Sequence, residues 1–306
     1  MSIQNSLLKS IASFTRLLNV LLIIVLALIF RYRLLAPLFE PFDVSFTLNE
    51  AQYFLLVTDI ILVAWLGYWL NDWFDKSIDS INKPDRLLVK YQVSPFWFGI
   101  LIVITGIVCL MISIYLAEAT ENWSKLIVLP ITLLLLVGYA RWLKPIKLIG
   151  NVLVSLLVVA VLGVLLLSEL ETIESVPNQN FKIIIVTISI SLFLLNLIRE
   201  IVKDIEDISG DQQHEVVSLP ILIGIKNTKT ILRAALALSI FPLLYLGINF
   251  SYGAMGYTLT IFAIVLTFRN FTLVSAREGL RASLLSKNLK LIMLAGILLM
   301  GFLTVL

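Results

Sequence analysis

Asn71, Asp75 and Asp79 recur every four residues within Asn71-Asp72-Trp73-Phe74-Asp75-Lys76-Ser77-Ile78-Asp79. A helix therefore carries all three on one face. Oxygen-bearing side chains stacked in this way repel one another unless positive charge lies between them. A hard divalent cation supplies that charge, and Mg²⁺ favours a few carboxylates completed by phosphate oxygens of a substrate. Lys83 and Arg86 follow in Asn82-Lys83-Pro84-Asp85-Arg86, and such cations grip phosphate. A second run, Arg199 to Asp211, answers the first. Its Glu200, Asp204, Asp207 and Asp211 fall at i, i+4, i+7 and i+11, again one helical face. Each run closes an apolar segment, Phe54 to Leu70 and Ile183 to Ile198. Together they read as two metal clusters that serve one diphosphate. A solvated helix end accounts for a single acidic cluster equally well. Two clusters in register, both accompanied by basic residues, favour chemistry.

The elements that must position these residues are membrane helices. Hydrophobic residues make up 59% of the chain and charged residues 14%, against about 25% charged in soluble domains. Mean hydropathy is +1.00. A membrane span needs about 20 apolar residues, and the sequence predicts about nine: roughly 16–35, 52–71, 95–116, 125–141, 148–168, 182–200, 231–250, 252–273 and 288–306. The expected fold is an all-α polytopic membrane protein, one domain over residues 1–306 with its helices around a central cavity. With the N-terminus inside, 19 of the 23 lysines and arginines lie on the inner side, leaving Arg31, Arg33, Lys125 and Lys182 outside. That bias puts both acidic motifs, 71–86 and 199–211, at the cytosolic face of a cytoplasmic membrane. The inner loops after the second and sixth helices read as long polar caps over the site. Outer stretches such as Glu169 to Asn180 carry no signal. The two acidic helices, about four helices apart, suggest a pseudo-repeat of two halves.

A net charge of +3, with basic residues scattered between apolar runs, gives no nucleic-acid surface. The one cysteine, Cys109, permits neither an intrachain disulfide nor a CxxC site, and the one histidine, His214, excludes a multi-His centre. The first apolar run, Leu17 to Phe30, is followed by Arg31-Tyr32-Arg33 and shows no signal-peptide cleavage pattern.

The first run resembles the N-D-x-x-D-x-x-x-D signature of the UbiA superfamily of intramembrane prenyltransferases. The second resembles that family's D-x-x-x-D, carried by Asp207 and Asp211. Asn82 to Arg86 is similar to the N-[KR]-P-x-R tail, closest to the geranylgeranylglyceryl-phosphate geranylgeranyltransferase branch. Tyr139 to Lys144, then Gly150-Asn151, resembles the Y-x-x-x-x-K loop and the start of the next helix. The resemblance implies a Mg²⁺-dependent transfer of a prenyl group from a polyprenyl diphosphate to a lipophilic acceptor, either a glycerol-phosphate-type lipid or an aromatic quinone precursor. It implies Mg²⁺ ligation by Asn71, Asp75 and Asp79 and by Asp207 and Asp211, with Asp72 and Asp204 either supporting those ligands from behind or bound through water, and Asp75 and Asp207 central to catalysis. Lys83, Arg86, Lys144 and Lys203 would hold the diphosphate, with Tyr139 donating a hydrogen bond. Arg16 and Asn19 resemble the family's R-x-x-N and would line the cavity. Positive-inside placement explains each of these cations without any substrate. The implied partners are the prenyl donor, the acceptor and the bilayer; the sequence is silent on oligomeric state. Leu87 stands where the family often has Pro, Lys90-Tyr91 where a Gly follows, and Glu215 and Val217 where a Gly and a basic residue are usual.

Asp59, mid-span in Thr58-Asp59-Ile60, has two readings: a functional intramembrane carboxyl or one bonded to a neighbouring helix. The aromatics Trp65, Tyr68, Trp69, Trp73 and Phe74 read as an interfacial belt, or as a wall for a prenyl chain. A cation-coupled transporter is the alternative of a different class, though transporters keep such carboxylates near the midplane. A non-catalytic scaffold with the same architecture is the third.

Overall fold

The computed structural model describes residues 15–82, 94–123, 131–132, 134–138, 147–213, 216–251, 253–275 and 281–304. These are helical apart from short connections and isolated bridge residues such as Ser251 and Leu303. The helices are α1 (Leu17–Ile29), α2 (Glu50–Phe74), α3 (Lys76–Asn82), α4 (Pro95–Ala119), α5 (Lys147–Ser168), α6 (Leu170–Glu174), α7 (Gln179–Glu206), α8 (Ile208–Gln213), α9 (Leu219–Asn249), α10 (Gly253–Ser275) and α11 (Ala282–Met300). Past Ile29 the first helix continues through a π-helical stretch, Phe30–Leu35, and a short helical end to Phe42.

Among the described residues, eight helices are long and apolar enough to span a membrane. They match the predicted spans except 125–141, which falls largely outside the described residues; its residues 131–132 and 134–138 are helical. Two of the spans, α2 and α7, outreach the hydrocarbon in a way that matters to function. At 1.5 Å per residue, the 25 residues of α2 and 28 of α7 reach about 37 and 42 Å, beyond a hydrocarbon core of about 30 Å. The surplus turns carry the acidic motifs. The expected long polar loop after α7 is not found: α8 follows at once, and only five residues separate it from α9. Lys226, Asn227 and Lys229 interrupt the apolar pattern there, yet lie within α9, which kinks at Gly224 (φ 78°) and contains Pro242. The cap expected after α2 falls at residues 83–93, outside the described residues.

The described residues group into two compact units. Unit 1 comprises Met1–Ile24, Leu48–Ile146 and Ser209–Val216; unit 2 comprises Val25–Thr47, Lys147–Ile208 and Val217–Leu306. In unit 1, α2 begins on a reciprocal cap. Asn49 Oδ1 accepts from the Gln52 amide at 3.0 Å, and Gln52 Oε1 from the Asn49 amide at 2.9 Å. Helix α4 starts with Pro95 in the first turn, where a missing N–H costs nothing. The two helices pack through Leu66, Trp69, Phe98 and Cys109. Trp73 stacks on Phe98 with centroids 5.4 Å apart, and Trp65 on Trp69 at 6.0 Å. Trp65, Trp69 and Trp73 thus form an aromatic cluster with Phe98 between α2 and α4, and Phe74 is exposed.

In unit 2 the core lies among α7, α9, α10 and α11, through residues such as Ile198, Val202, Leu232, Leu285 and Leu289. Membrane helices approach closely where a residue lacks a side chain, and Gly247 on α9 is such a position. A Cβ there would collide with Thr260 Cγ2 and sit 2.6 Å from its Oγ1 on α10. Thr260 is buried and bonded to the Gly256 carbonyl at 3.0 Å, so it cannot step aside. Gly247→Ala is expected to destabilise the protein by about 1–3 kcal/mol. The check is thermal unfolding in mild detergent, with Thr260→Ala expected to recover part of the loss.

Candidate active site

The first motif sits where α2 gives way to α3. Asp75 caps α2 at φ −90°, ψ 0°, in the sparsely populated bridge region where active-site residues are often found. Its amide still bonds the Asn71 carbonyl at 2.9 Å, and the Asp79 amide bonds the Asp75 carbonyl at 2.7 Å. The i, i+4 stripe read from the sequence therefore survives the break. Asn71 Nδ2 donates to Asp75 Oδ2 at 3.0 Å. Asp72, Asp75 and Asp79 are all buried.

The start of α1 binds this region from the side. Arg16, itself at φ 47°, donates from Nη2 to Asp72 Oδ1 at 2.8 Å, with its guanidinium 4.8 Å from the centroid of the Tyr68 ring. Asn19 Nδ2 donates to the Tyr68 hydroxyl at 3.0 Å, and Trp65 Nε1 to the Thr15 carbonyl at 2.9 Å. Arg16 and Asn19, one turn apart, thus engage Asp72 and Tyr68, one turn apart.

The second motif repeats the local geometry. Asp207 caps α7 at φ −97°, ψ 5°, and its amide bonds the Lys203 carbonyl at 2.9 Å. Asn151 Nδ2, on α5, donates to Asp204 Oδ2 at 2.7 Å. Ser155 Oγ donates to the Asn151 carbonyl at 2.7 Å and receives Asn196 Nδ2 at 3.2 Å. Asp211 is 1% exposed in α8 and, with Ser209–Val216, is grouped in unit 1. Lys203 Nζ lies 2.5 Å from Glu200 Oε1, which also takes Arg199 Nη1 at 2.9 Å. The cation assigned to diphosphate is thus held by a carboxylate of its own helix.

Lys83, Arg86, Tyr139 and Lys144 lie outside the described residues, as do Leu87, Tyr91, His214 and Glu215. Asp59 takes Ser113 Oγ on Oδ2 at 2.9 Å; it is bonded to a neighbouring helix, and it lies about 18 Å along α2 from Asn71.

Three residues have roles here that the sequence did not give them: Asn151, Tyr68 and Glu200. A signal for the first exists. Aligned on Asp75 and Asp207, both runs read D-x-x-D-x-x-x-D, at 72, 75 and 79 and at 204, 207 and 211. The partner found for Asp72 therefore calls for one for Asp204.

The donor set, carboxylate and amide oxygens, suits a hard cation. Among the described residues no three His, Cys, Asp or Glu side chains converge tightly enough to hold an ion unaided. Mg²⁺ takes one or two carboxylates and completes its octahedron with water and substrate phosphate.

The UbiA prenyltransferase family matches residues 42–294, across both motifs. The chain belongs to this family. Digeranylgeranylglyceryl phosphate synthase of Thermococcus kodakarensis is 34% identical to this UbiA-family chain over 194 residues, covering 60% of the chain and 61% of the relative. A solved structure from work on digeranylgeranylglyceryl phosphate synthase in membranes is 27% identical, covers 96% of this chain and 97% of that one, and superposes with a TM-score of 0.64. A UbiA homologue from Archaeoglobus fulgidus bound to DMAPP and Mg²⁺ shares the fold at a TM-score of 0.61 and 12% identity, over 95% of this chain and 99% of that one. The polytopic helical fold is thus the UbiA fold.

Proposed function

We propose that this UbiA-family protein is an integral-membrane, Mg²⁺-dependent prenyltransferase. It transfers the prenyl group of a polyprenyl diphosphate to the hydroxyl of a glycerol-phosphate-type lipid, with its site facing the cytosol. The observation that carries the reading is the pair of matched acidic helix ends, each breaking at an aspartate in the bridge region. The relatives' name favours the glycerol-phosphate acceptor over an aromatic one.

In the reaction the allylic carbon–oxygen bond breaks, its electron pair leaves with diphosphate, and the acceptor oxygen forms an ether as its proton departs. Bound Mg²⁺ would neutralise the leaving diphosphate. Asn71, Asp75 and Asp79, with Asp207 and Asp211, would hold it. Lys83, Arg86 and Lys144 add charge-assisted bonds to the diphosphate and Tyr139 a hydrogen bond. Lys203 joins them by exchanging Glu200 for the more highly charged ligand. A dry lipid-bounded cavity keeps water from the allylic cation.

The cytosolic assignment gains from the exceptions to it. Arg31 pairs with Glu169 at 3.4 Å, Arg33 donates twice to the Gly301 carbonyl at 3.0 and 3.1 Å, and Lys182 pairs with Glu174 at 3.1 Å. Three of the four outer cations are thus engaged within the protein.

The test uses purified protein in nanodiscs with Mg²⁺ and radiolabelled geranylgeranyl diphosphate. One acceptor pool holds geranylgeranylglyceryl phosphate and the other 4-hydroxybenzoate. Label is expected in an organic-soluble product with the first pool, abolished by EDTA. Transfer only to 4-hydroxybenzoate would reassign the acceptor; donor binding without transfer to either would remove the glycerol-phosphate reading.

A further inference from the structure

The first aspartate of each acidic run is bonded to a side chain outside its own helix. Asp72 is 6% and Asp204 4% exposed, and each accepts a short bond from a donor on the preceding membrane helix: Arg16 on Asp72 at 2.8 Å, Asn151 on Asp204 at 2.7 Å. The donors are themselves embedded in ladders. Arg16 stacks on Tyr68, whose hydroxyl takes Asn19. Asn151 is tied through its carbonyl to Ser155, which takes Asn196. In both runs the helix stops three residues later, at an aspartate in the bridge region.

We propose that Asp72 and Asp204 are positioning residues and not metal ligands. Arg16 and Asn151 are their fixed partners, and each pair sets the rotation of the helix end that presents Asp75 and Asp79, or Asp207 and Asp211. A residue three positions on lies about 60° round the helix axis. Pinning Asp72 to α1 therefore fixes the direction in which Asp75 leaves α2, and pinning Asp204 to α5 does the same for Asp207. Both run ends are breaks and not continuous helix, so the chain would otherwise be loosest where the ligands must be aimed. Partners of this kind, one step back from a metal, typically govern its affinity. The inference rests on the prenyltransferase reading.

The decisive experiment exchanges the two groups of one pair. Asn151→Asp with Asp204→Asn keeps a carboxylate and an amide facing each other but moves the carboxylate onto α5. The full-length protein in detergent is assayed for binding of radiolabelled geranylgeranyl diphosphate across a Mg²⁺ titration. Melting temperature is recorded in parallel. Asn151→Ala and Asp204→Ala alone, which break the pair, are expected to raise the half-saturating Mg²⁺ about tenfold or more, and the exchange to keep it within about threefold of wild type. Arg16→Ala is expected to raise it similarly. If the exchanged protein is as impaired as Asp204→Ala, the carboxylate is needed at 204 itself and the proposal fails. It fails equally if the single variants melt earlier but keep the wild-type Mg²⁺ midpoint, which is the mark of a merely structural bond. Wild-type protein that binds no prenyl diphosphate at any Mg²⁺ concentration would remove the prenyltransferase reading, and this inference with it.

Discussion

Asp75→Ala and Asp207→Ala are each expected to slow prenyl transfer by about 10³-fold or more, several kcal/mol of leaving-group stabilisation. The expectation comes from backbone as well as charge. Each aspartate occupies the one residue at which its long helix breaks, so its carboxylate is offered at a helix end. Asp75→Asn separates the two contributions. It preserves size and can still accept from Asn71, which lies 3.0 Å away, but it has lost the negative charge. If charge is what the site requires, Asp75→Asn falls nearly as far as Asp75→Ala and its Mg²⁺ requirement rises. Initial rates across a Mg²⁺ titration supply the measurement, with melting temperature as the control for folding. A rate within about tenfold of wild type in Asp75→Asn, less than 1.4 kcal/mol, would show that the carboxylate is not a cation ligand.

The acidic stripe was legible in the sequence because the proposed ligands obey helical periodicity. Asn71, Asp75 and Asp79 share a stripe, and the structure keeps that stripe through the break because the i to i+4 backbone bonds persist across it. The break itself was not legible: no Gly or Pro marks Asp75 or Asp207, and both are compatible with continuous helix. Nor were the partners. Asn151 is 53 residues from Asp204, and Arg16 is 56 from Asp72. Such distances are set by packing and leave no local pattern. Glu200 was read as part of the acidic face, yet it is occupied by Arg199 and Lys203. On a helix a carboxylate with a cation three positions on is satisfied locally before it can serve a distant ligand.

The fold followed from hydropathy wherever a span was uniformly apolar. It was misread where charge interrupts a helix that does not end. The segment Leu219 to Asn249 contains Lys226, Lys229 and Arg233, and an apolar window discards its first three turns. Charges within the first turns of a membrane helix lie in the headgroup zone, where they cost little. Asp59 shows the converse. Its place mid-span invited a functional reading, and the structure gives it an ordinary partner in Ser113 on α4.

Glu169→Ala is expected to be among the most destabilising single changes in the chain, by about 3–5 kcal/mol, because it strands a buried cation. The outer stretch beginning at Glu169 looked empty of information, yet Glu169 is 0% and Arg31 1% exposed. Their side chains meet at 3.4 Å, and Glu169 Oε2 also accepts the Thr47 amide at 2.7 Å. Thr47 Oγ1 lies 2.8 Å from Thr172 Oγ1, and the Arg31 guanidinium 4.0 Å from the centroid of the Phe46 ring. One carboxylate thus ties the π-helical stretch after α1, the segment that leads to α2 and the turn before α6. Glu169→Gln keeps an acceptor for Thr47 but removes the negative charge that faces Arg31, so it should retain only a small part of the stability. The double change Arg31→Met with Glu169→Leu removes both charges and fills the space with apolar groups. Replacements of that kind are often neutral, so the double variant should melt above either Glu169 single variant. Thermal unfolding in detergent ranks the four proteins. A Glu169→Ala variant that melts with the wild type would mean that water or lipid headgroups reach Arg31, and that the pair does not hold this end of the protein together.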